Sequence, residues 1–407
     1  MSPPRAGRLA GVLMAALAAA GLAGGGLTGC GRPPAPRSAA AQGVVIPSVS
    51  SRSFTTGFSM MRRLQALSRL GTGKIGVLLP DTTTSSRYTE FDAPYLARAL
   101  QESGLSRSQF IITNAQGSDA TEQAQAESDM TQGATVLLLD PIDSGVGASI
   151  ESAAASLGVK VIDYDRMTLG GNRAYYVSFD NVAVGALMAR GLVSCIRAWH
   201  VHHPDVLVMR GAPTDNNATL FARGYDQVLR PYFASGRYAD AGQPPGSWDP
   251  TTAQTTFEEQ YTANSKISAV LTPNDDTASA VISYLKTLNT PPRTLPTTGQ
   301  DATPAGLANV LAGYECGTVY KPIYLEAQAA AALTLYLRAG LAPPASLVNG
   351  TTFDPTSRVR VPSVLLRPVW VTAGSMAATV IRDRFVTAAQ LCAGSLRAAC
   401  RRAGIAG

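Results

Sequence analysis

Short apolar runs alternate with helix-like segments from Lys74 onward. Four runs of strand length come first: KIGVLLP, SQFIITNA, ATVLLLDP and VKVIDYD. The segments between them, such as RYTEFDAPYLARALQES and DATEQAQAESDMTQ, read as helices, and Ser118 or Asp119 is a good N-cap for the second. After YYVSFDN the alternation starts again with DVLVMRG, KISAVLTP, RTLPTTG and ECGTVYK. Continuous apolar strands that alternate with helices predict an α/β fold with parallel sheets covered on both faces.

Polar side chains stand at the ends of six of these strands. They are Arg87 and Tyr88, Asp165 and Arg166, Asn216 and Asn217, Asn274 with Asp275 and Asp276, Gln300 and Asp301, and Lys321. Parallel sheets bind ligands outside the carboxyl ends of their strands, so these side chains predict a shared polar cleft. For single positions, above all Asn216 and Asn274, the alternative is a helix cap or an ordinary loop residue.

The first thirty residues have the layout of a secretory signal peptide. Arg5 and Arg8 form a short positive region, and an apolar stretch rich in Ala and Gly follows. Its last four letters, LTGC, resemble the lipobox of bacterial lipoproteins, which implies cleavage before Cys30 and lipid on that residue. We therefore expect an exported protein anchored by lipid to the outer face of the cell membrane, with a signal peptide over 1–29 and a flexible tether over 30–73. An ordinary signal peptide with an incidental cysteine is the alternative.

The charge balance argues against a nucleic-acid partner. Without residues 1–29, which hold two arginines and no acids, the chain has 32 basic and 28 acidic residues and a net charge of +4. The basic residues form no block, so nucleic-acid binding is not expected. Hydrophobic residues make up 45% of the chain, which suits a large core, and the length predicts two lobes rather than one.

The cysteines permit disulfides. Of the five, Cys30 is the expected lipid site, which leaves an even number in an exported protein. Cys392 and Cys400 lie close together in the sequence, and we expect a bridge between them. Cys195 and Cys316 are either buried thiols or a second pair.

Six motifs, in order and spacing, carry a family resemblance: YDRM, YVSFDN, GAPTDNNATLF, NDDTA, GQDA and TVYKP. Over about 74–370 the chain resembles the periplasmic D-xylose-binding proteins, sugar-binding subunits of ABC importers in the ribose- and galactose-binding group. The resemblance implies a type I periplasmic binding protein fold: two Rossmann-like lobes with parallel sheets, joined by a three-strand hinge. The expected N-terminal lobe is 74–180 plus 321–365, and the expected C-terminal lobe is 181–320 plus 366–407.

Matched motif by motif, the resemblance implies a set of sugar-binding side chains: Arg87, Tyr88, Asp165, Arg166, Asn216, Asn217, Trp248, Asn274, Asp301 and Lys321. Carboxylates accept hydrogen bonds, Arg and Lys donate and amides do both, which suits the hydroxyls of a pentose. Trp248 matches a residue that packs on the sugar ring. The sequence departs from the pattern at Asp276, where a small residue is common, and at Asp163, where small apolar residues are usual. These departures bear on which sugar is bound more than on the class.

No enzyme activity, cofactor or metal is expected. Asp165 and Asp301 could be a glycosidase carboxylate pair, but acids that line a sugar site need not be catalytic. The sequence contains no G-x-S-x-G or G-x-x-x-x-G-K-[ST] motif. His200, His202 and His203 stand together in WHVHHPD, and a solvated turn after a helix is expected there rather than a metal site.

The expected function is therefore capture of a monosaccharide, D-xylose first, and its delivery by a monomeric lipoprotein to an ABC permease. The alternative is a lipoprotein sensor that presents a different monosaccharide, glucose, ribose or arabinose, to a membrane receptor.

Overall fold

Strands and helices alternate along the described part of the chain, as the sequence predicts. The computed structural model describes residues 43, 45–82 and 84–405. Its strands are β1 (Lys74–Leu79), β2 (Phe110–Asn114), β3 (Ala134–Leu139), β4 (Lys160–Tyr164), β5 (Tyr175–Phe179), β6 (Asp205–Val208), β7 (Ala239–Gly242), β8 (Ile267–Leu271), β9 (Thr297–Gln300), β10 (Glu315–Tyr320), β11 (Gly350–Phe353), β12 (Arg360–Leu366) and β13 (Val369–Val371).

Most helices of this part lie in the connections between strands. They are α1 (Ser59–Arg63), α2 (Gln65–Leu70), α3 (Ala93–Glu102), α4 (Asp119–Thr131), α5 (Ser144–Ser156), α6 (Asn181–Ala198), α7 (Asn216–Ala234), α8 (Pro250–Ala263), α9 (Asp275–Thr287), α10 (Pro304–Ala312), α11 (Ile323–Arg338), α12 (Ala388–Leu391) and α13 (Arg397–Arg402). A π-helical turn, Tyr88–Asp92, precedes α3. Ser118 is the N-cap of α4, and its side chain accepts a hydrogen bond from the Thr121 N–H.

Two separate sheets organise these elements. The first has seven strands in the order β11-β12-β5-β4-β3-β1-β2, and the second has six in the order β13-β10-β9-β8-β6-β7. Neighbours pair in parallel except at β11–β12 and β10–β13. In the first sheet, Ile75 of β1 lies opposite Phe110 of β2 and Val136 of β3, and all three are buried. The predicted α/β fold with parallel sheets is confirmed.

The chain passes from one sheet to the other three times. It leaves the first sheet after Phe179, returns after Tyr320, and leaves again between Leu366 and Val369. Helix α6 packs against β8, β9 and β10 of the second sheet, whereas α11 packs against β3, β4 and β5 of the first. The three crossings lie near the predicted lobe boundaries, and the division of the chain into those lobes stays a prediction.

Helices α6 and α7 approach each other closely because glycines face across their contact. A Cβ atom at Gly185 would lie 2.0 Å from the Phe221 carbonyl oxygen, and one at Gly224 would lie 2.1 Å from the Val182 carbonyl oxygen. The close packing brings the N-termini of the two helices together, and Asn181 there donates a hydrogen bond to Asn217 Oδ1 at 2.7 Å.

The predicted tether is wrong for its C-terminal part. Residues 59–70 form α1 and α2, and Phe58, Met61 and Leu64 of this region are fully buried. Further toward the N-terminus, the Ser51 N–H donates to the Ser346 carbonyl. Such short helices are stable only through packing, which here is supplied by α3 and α11. The predicted signal peptide and the lipid site at Cys30 lie outside the described residues.

Two disulfides join the four cysteines of the described region. Cys195 of α6 is bonded to Cys316 of β10, and Cys392 is bonded to Cys400. The second bridge lies in what we call the C-terminal extension, residues 372–405, which follows β13 and packs through α12 and α13 against α10.

Candidate functional site

The predicted cleft forms where the carboxyl ends of both sheets meet. It is lined by Ser85, Arg87, Tyr88, Asp165, Arg166, Asp215, Asn217, Phe221, Trp248, Asn274, Gln300, Asp301 and Lys321. These residues follow strands of the first sheet (β1 and β4) and of the second (β6, β7, β8, β9 and β10). The cavity between them is about 20 Å³, which is room for one or two water molecules.

Asp165 is the central carboxylate of the cleft. Its Oδ1 accepts a hydrogen bond from Arg87 Nη1 at 2.8 Å and lies 3.7 Å from Lys321 Nζ, and its Oδ2 accepts one from the Tyr88 hydroxyl at 3.3 Å. Burial of Asp165 opposes its ionisation, but Arg87, Lys321 and Arg166 outweigh this effect and lower its pKa to about 2. Asp165 is therefore a charged hydrogen-bond acceptor at neutral pH.

The backbone of Asp165 is held in an unusual conformation. Its φ of 57° lies in the left-handed region, which costs free energy for a residue other than glycine. Three side chains hold the turn by donating to its carbonyl oxygen: Tyr176 at 2.9 Å, Ser178 at 2.7 Å and Asn217 at 3.1 Å. Tyr176 and Ser178 come from β5 and Asn217 from α7, so both sheets contribute to the position of Asp165.

Arg87 is buried and donates hydrogen bonds to three carboxylates. Besides Asp165, it donates to Asp92 through Nε at 2.8 Å and Nη2 at 2.7 Å, and to Glu326 through Nη2 at 3.0 Å. Tyr164 also donates to Asp92, at 2.6 Å. Burial raises the pKa of Glu326 well above its usual value even though Arg87 lowers it. The guanidinium is thus fixed in one orientation, with Asp165 on the cleft side.

Arg166 connects the two sheets. Its Nε lies 3.2 Å from Asp215 Oδ2 across the cleft and 3.6 Å from Asp140 Oδ1. The indole N–H of Trp248 donates to the same Asp215 oxygen at 3.1 Å, and Trp248 packs edge-to-face on Phe221. This part of the cleft combines charged hydrogen-bonding groups with the aromatic rings of Trp248 and Phe221.

The second sheet supplies a further ion pair. Lys321 Nζ lies 3.0 Å from Asp301 Oδ1, and Ser85 of the first sheet's loop lies 3.5 Å from Asp301 Oδ2. Asp301 has a φ of 91°, so the backbone turns sharply after β9 to direct this carboxylate. Beside it, Gln300 Oε1 is buried and has no hydrogen-bond partner among the residues that the structure describes.

Asn274 combines the two roles considered for it. Its Oδ1 accepts from the Thr277 N–H at 2.9 Å and so caps α9, while its Nδ2 donates across the cleft to the Thr84 carbonyl at 3.4 Å. Asp276, the unusual residue of the NDDTA motif, accepts a hydrogen bond from the Ser86 N–H at 3.0 Å. Both contacts join the loop after β1 to the start of α9.

The cleft contains nine of the ten residues predicted to bind sugar, and Asn216 is the exception. Asn216 is the first residue of α7 and does not line the cleft, because Asp215 occupies the N-cap position and turns toward it instead. The sequence-based prediction omitted Asp215, Ser85 and Phe221, whereas Gln300 was among the strand-end residues predicted to share the cleft. Phe221 stands one helical turn after Asn217, and that spacing could have identified it.

The surroundings of the three histidines do not favour a metal site, and those of Asp165 do not favour a glycosidase acid. His200, His202 and His203 are exposed in the turn after α6. A glycosidase acid needs a raised pKa, whereas the pKa of Asp165 is lowered to about 2. The side chains of the cleft therefore offer paired donors and acceptors and an aromatic face, which are the groups that bind a polar, uncharged ligand.

Comparison with known proteins places the chain in a family. The family model for the periplasmic binding protein domain matches residues 75–341. The chain is 36% identical over 278 residues to the D-xylose-binding periplasmic protein of Escherichia coli (strain K12), which covers 68% of this chain and 81% of that protein. It is 30% identical over 337 residues to a multiple sugar-binding periplasmic receptor of Rhizobium radiobacter, which covers 78% of this chain and 92% of that protein.

A solved structure agrees with these matches. The carbohydrate transporter solute binding protein of Chloroflexus aurantiacus, in complex with D-glucose, has a TM-score of 0.70 and 28% identity, and the match covers 78% of this chain and 97% of that one. The resemblance to the D-xylose-binding proteins is confirmed, and with it the type I fold. The chain therefore belongs to the periplasmic binding protein family.

Proposed function

We propose that this chain captures a monosaccharide in the cleft and delivers it to an ABC permease. The observation that carries the proposal is the convergence of carboxylates, cations and amides from both sheets beside Trp248. A sugar hydroxyl donates and accepts hydrogen bonds, so each can bind one carboxylate and one cation or amide. The C–H face of the ring is apolar and suits the indole of Trp248. Gln300 Oε1, buried and without a partner in the described ranges, is an acceptor for such a hydroxyl.

D-xylose is the sugar that we propose. Relatives named as D-xylose-binding periplasmic proteins are 36% and 33% identical to this chain. A multiple sugar-binding protein of Azospirillum brasilense is 30% identical, and the Chloroflexus aurantiacus protein holds D-glucose. D-glucose, D-ribose and L-arabinose are therefore the sugars against which D-xylose has to be compared.

The small cavity supports a mechanism in which the two sheets move apart. A cavity of about 20 Å³ is too small for a sugar ring, so the ligand enters only when the cross-cleft contacts separate. We propose that residues 74–180 plus 321–365 form one lobe, that 181–320 plus 366–407 form the other, and that the three crossings are the hinge. The ligand binds one lobe, and closure then completes its hydrogen bonds from the other.

The proposed location is the outer face of the cell membrane. The LTGC segment supports lipid attachment at Cys30, and the residues that follow Cys30 would link the anchor to the folded part. We propose that the protein acts there as a monomer. Replacing Cys30 with serine and finding the protein unchanged in the membrane fraction would contradict the lipid anchor.

A sugar sensor is the second candidate. It is supported by the relative in Rhizobium radiobacter, whose name describes a periplasmic receptor. In this case the closed protein docks on a membrane receptor instead of a permease. Co-purification of the closed protein with one or the other separates the two functions.

A thermal-shift screen of the soluble protein tests the sugar-binding function. A ligand at one hundred times its Kd adds about 2.7 kcal/mol of stability to a folded protein. We expect D-xylose to raise the Tm of the wild type and to leave the Tm of Asp301→Ala unchanged. A folded wild type that no monosaccharide stabilises would contradict the proposal.

A further inference from the structure

The C-terminal extension lies outside the part of the chain that the family model matches. The match ends at residue 341, whereas the extension covers 372–405. Met376, Val380 and Val386 of the extension are almost fully buried, and Phe385 is 5% exposed. The extension is thus part of the core rather than a free tail.

The ring of Phe385 contacts aromatic residues that belong to both sheets or to the helices that pack on them. It stacks on Phe91 with centroids 3.8 Å apart and lies 6.4 Å from the ring of Tyr95, and it meets Tyr320 edge-on at 4.9 Å. Phe91 and Tyr95 belong to the π-helical turn and α3, which pack with α11 on the first sheet. Tyr320 ends β10 of the second sheet, at the second crossing.

Each of these contacts lies next to a residue of the cleft. Phe91 is followed by Asp92, which holds the guanidinium of Arg87 through two hydrogen bonds. Tyr320 is followed by Lys321, whose ammonium lies 3.0 Å from Asp301. Phe385, which does not line the cleft, therefore contacts two chain segments that carry residues of the cleft.

Asp383 reinforces the same region. Its Oδ2 accepts hydrogen bonds from the hydroxyls of Tyr320 and Tyr324, both at 3.3 Å. Tyr324 lies on α11, two residues before the Arg87 partner Glu326. The pair of tyrosines is thus held by one carboxylate of the extension.

The extension itself is attached to the second sheet. Strand β13, which leads into it, pairs with β10, and α12 and α13 pack on α10. The disulfide between Cys392, which directly follows α12, and Cys400 of α13 joins these two helices. The extension that carries Phe385 is therefore held by the second sheet, while the ring of Phe385 stacks on Phe91 of the turn that packs on the first sheet.

We propose that Phe385 and Asp383 are positioning residues for sugar binding: they fix the segments 88–92 and 320–323 so that Arg87 and Lys321 meet at Asp165 when the two sheets close. This proposal rests on the proposed function. Aromatic pairs contribute about 0.5–1.5 kcal/mol beyond their buried area, and Phe385 makes a close contact with two rings. Loss of its ring should therefore weaken sugar binding by roughly tenfold.

The test compares Phe385→Ala with a matched control in the same extension, Leu391→Ala. Leu391 is 3% exposed and lies in α12, away from the cleft. Two quantities are measured on each full-length soluble variant: the Kd for D-xylose and D-glucose by calorimetry, and the hydrogen exchange of backbone amides in 88–92 and 320–323 without ligand. Phe385→Tyr, which keeps the ring, should restore both.

We expect Phe385→Ala to weaken sugar binding about tenfold and to speed exchange in both segments, and Leu391→Ala to lower the Tm without either effect. Equal Kd values for the two variants, or unchanged exchange in Phe385→Ala, would overturn the proposal. The exchange measurement decides the positioning role even if the wild type binds neither sugar, in which case only the proposed function fails.

Discussion

Arg166 Nε and Asp215 Oδ2 lie 3.2 Å apart and join the end of β4 in the first sheet to the N-cap of α7 beside the second. Both side chains are buried, and Asp140 and Trp248 complete the group. A buried ion pair of this kind contributes little net stability, because desolvation offsets the attraction. We propose that its position across the cleft serves ligand binding.

Replacing Arg166 with alanine should abolish measurable sugar binding. Truncating one partner of a buried charge pair costs about 2–5 kcal/mol of affinity, and it also leaves Asp140 and Asp215 unpaired. We expect a lower Tm for the same reason. Arg62→Ala, which removes an exposed ion pair with Glu102, should change neither quantity. Calorimetry and thermal unfolding of both variants check this, and an unchanged Kd in Arg166→Ala would remove Arg166 from the site.

Asp276→Ala should speed dissociation of the sugar. The Asp276 carboxylate accepts the Ser86 N–H at 3.0 Å across the cleft, so its loss favours the open form without touching the ligand. We expect the dissociation rate to rise by about ten- to a hundredfold, because a hydrogen bond to a charged group contributes about 1.5–3 kcal/mol. Ser86→Ala keeps the backbone N–H and should have a smaller effect. Stopped-flow measurement of Trp248 fluorescence gives the rates, and equal rates in the wild type and Asp276→Ala would refute this role.

Glu122 should make the protein less stable as the pH rises from about 5 to 8. Burial raises the pKa of its carboxyl to about 8, although the Ile142 N–H donates to it at 3.2 Å. Because the folded pKa lies above the unfolded one, the stabilisation is full below the unfolded pKa and is lost as the pH rises through about 8. Glu122→Gln keeps the acceptor and removes the titration.

The free energy of unfolding, measured in urea at pH 5 and pH 8, checks this prediction. The free energy of unfolding of Glu122→Gln, relative to that of the wild type, should be higher at pH 8 than at pH 5. Glu127→Gln, an exposed position on the same helix, should follow the wild type at both pH values. Parallel pH profiles for the wild type and Glu122→Gln would contradict the buried, protonated carboxyl.

The two disulfides should differ in their contribution to stability. The Cys195–Cys316 bridge closes a separation of 121 residues, whereas Cys392–Cys400 closes one of 8. A longer loop loses more entropy in the unfolded chain when it is closed, so the paired serine variant at 195 and 316 should lose more, about 2–5 kcal/mol. Urea unfolding of the two double variants gives the comparison, and a larger loss at 392 and 400 would show that strain or local packing dominates.

Most of the strands that the sequence predicted are buried on both faces, and the edge strand β2, with mostly half-buried residues, is an exception. KIGVLLP and ATVLLLDP became β1 and β3, because continuous apolar runs are typical of strands covered on both faces. Strands β7, β11 and β12 were not predicted: β7 and β11 lie at sheet edges and hold exposed and half-buried residues, and β12 begins with alternating exposed and buried residues. Helices α1 and α2 were taken for tether because single short helices give a weak pattern and depend on tertiary packing.

The cleft could be predicted from motifs because most of the residues that line it closely follow a strand. Its internal pairing could not be predicted in the same way. Arg87 is paired with Glu326, which is 239 residues away, and Asp165 is held by Asn217 from the other sheet. Asp215 was missed because the two asparagines after it are the more conspicuous hydrogen-bonding residues, whereas an N-cap acid is usually a structural feature.

Calorimetric titration of the soluble protein, starting after Cys30, with D-xylose, D-glucose, D-ribose and L-arabinose tests the central claim most directly. We expect one-to-one binding with D-xylose tightest, and loss of that binding in Asp301→Ala and Arg166→Ala. Tighter binding of another sugar would keep the transport function and change the ligand. No heat of binding with any of the four sugars, from a protein that unfolds cooperatively, would contradict a monosaccharide site in this cleft.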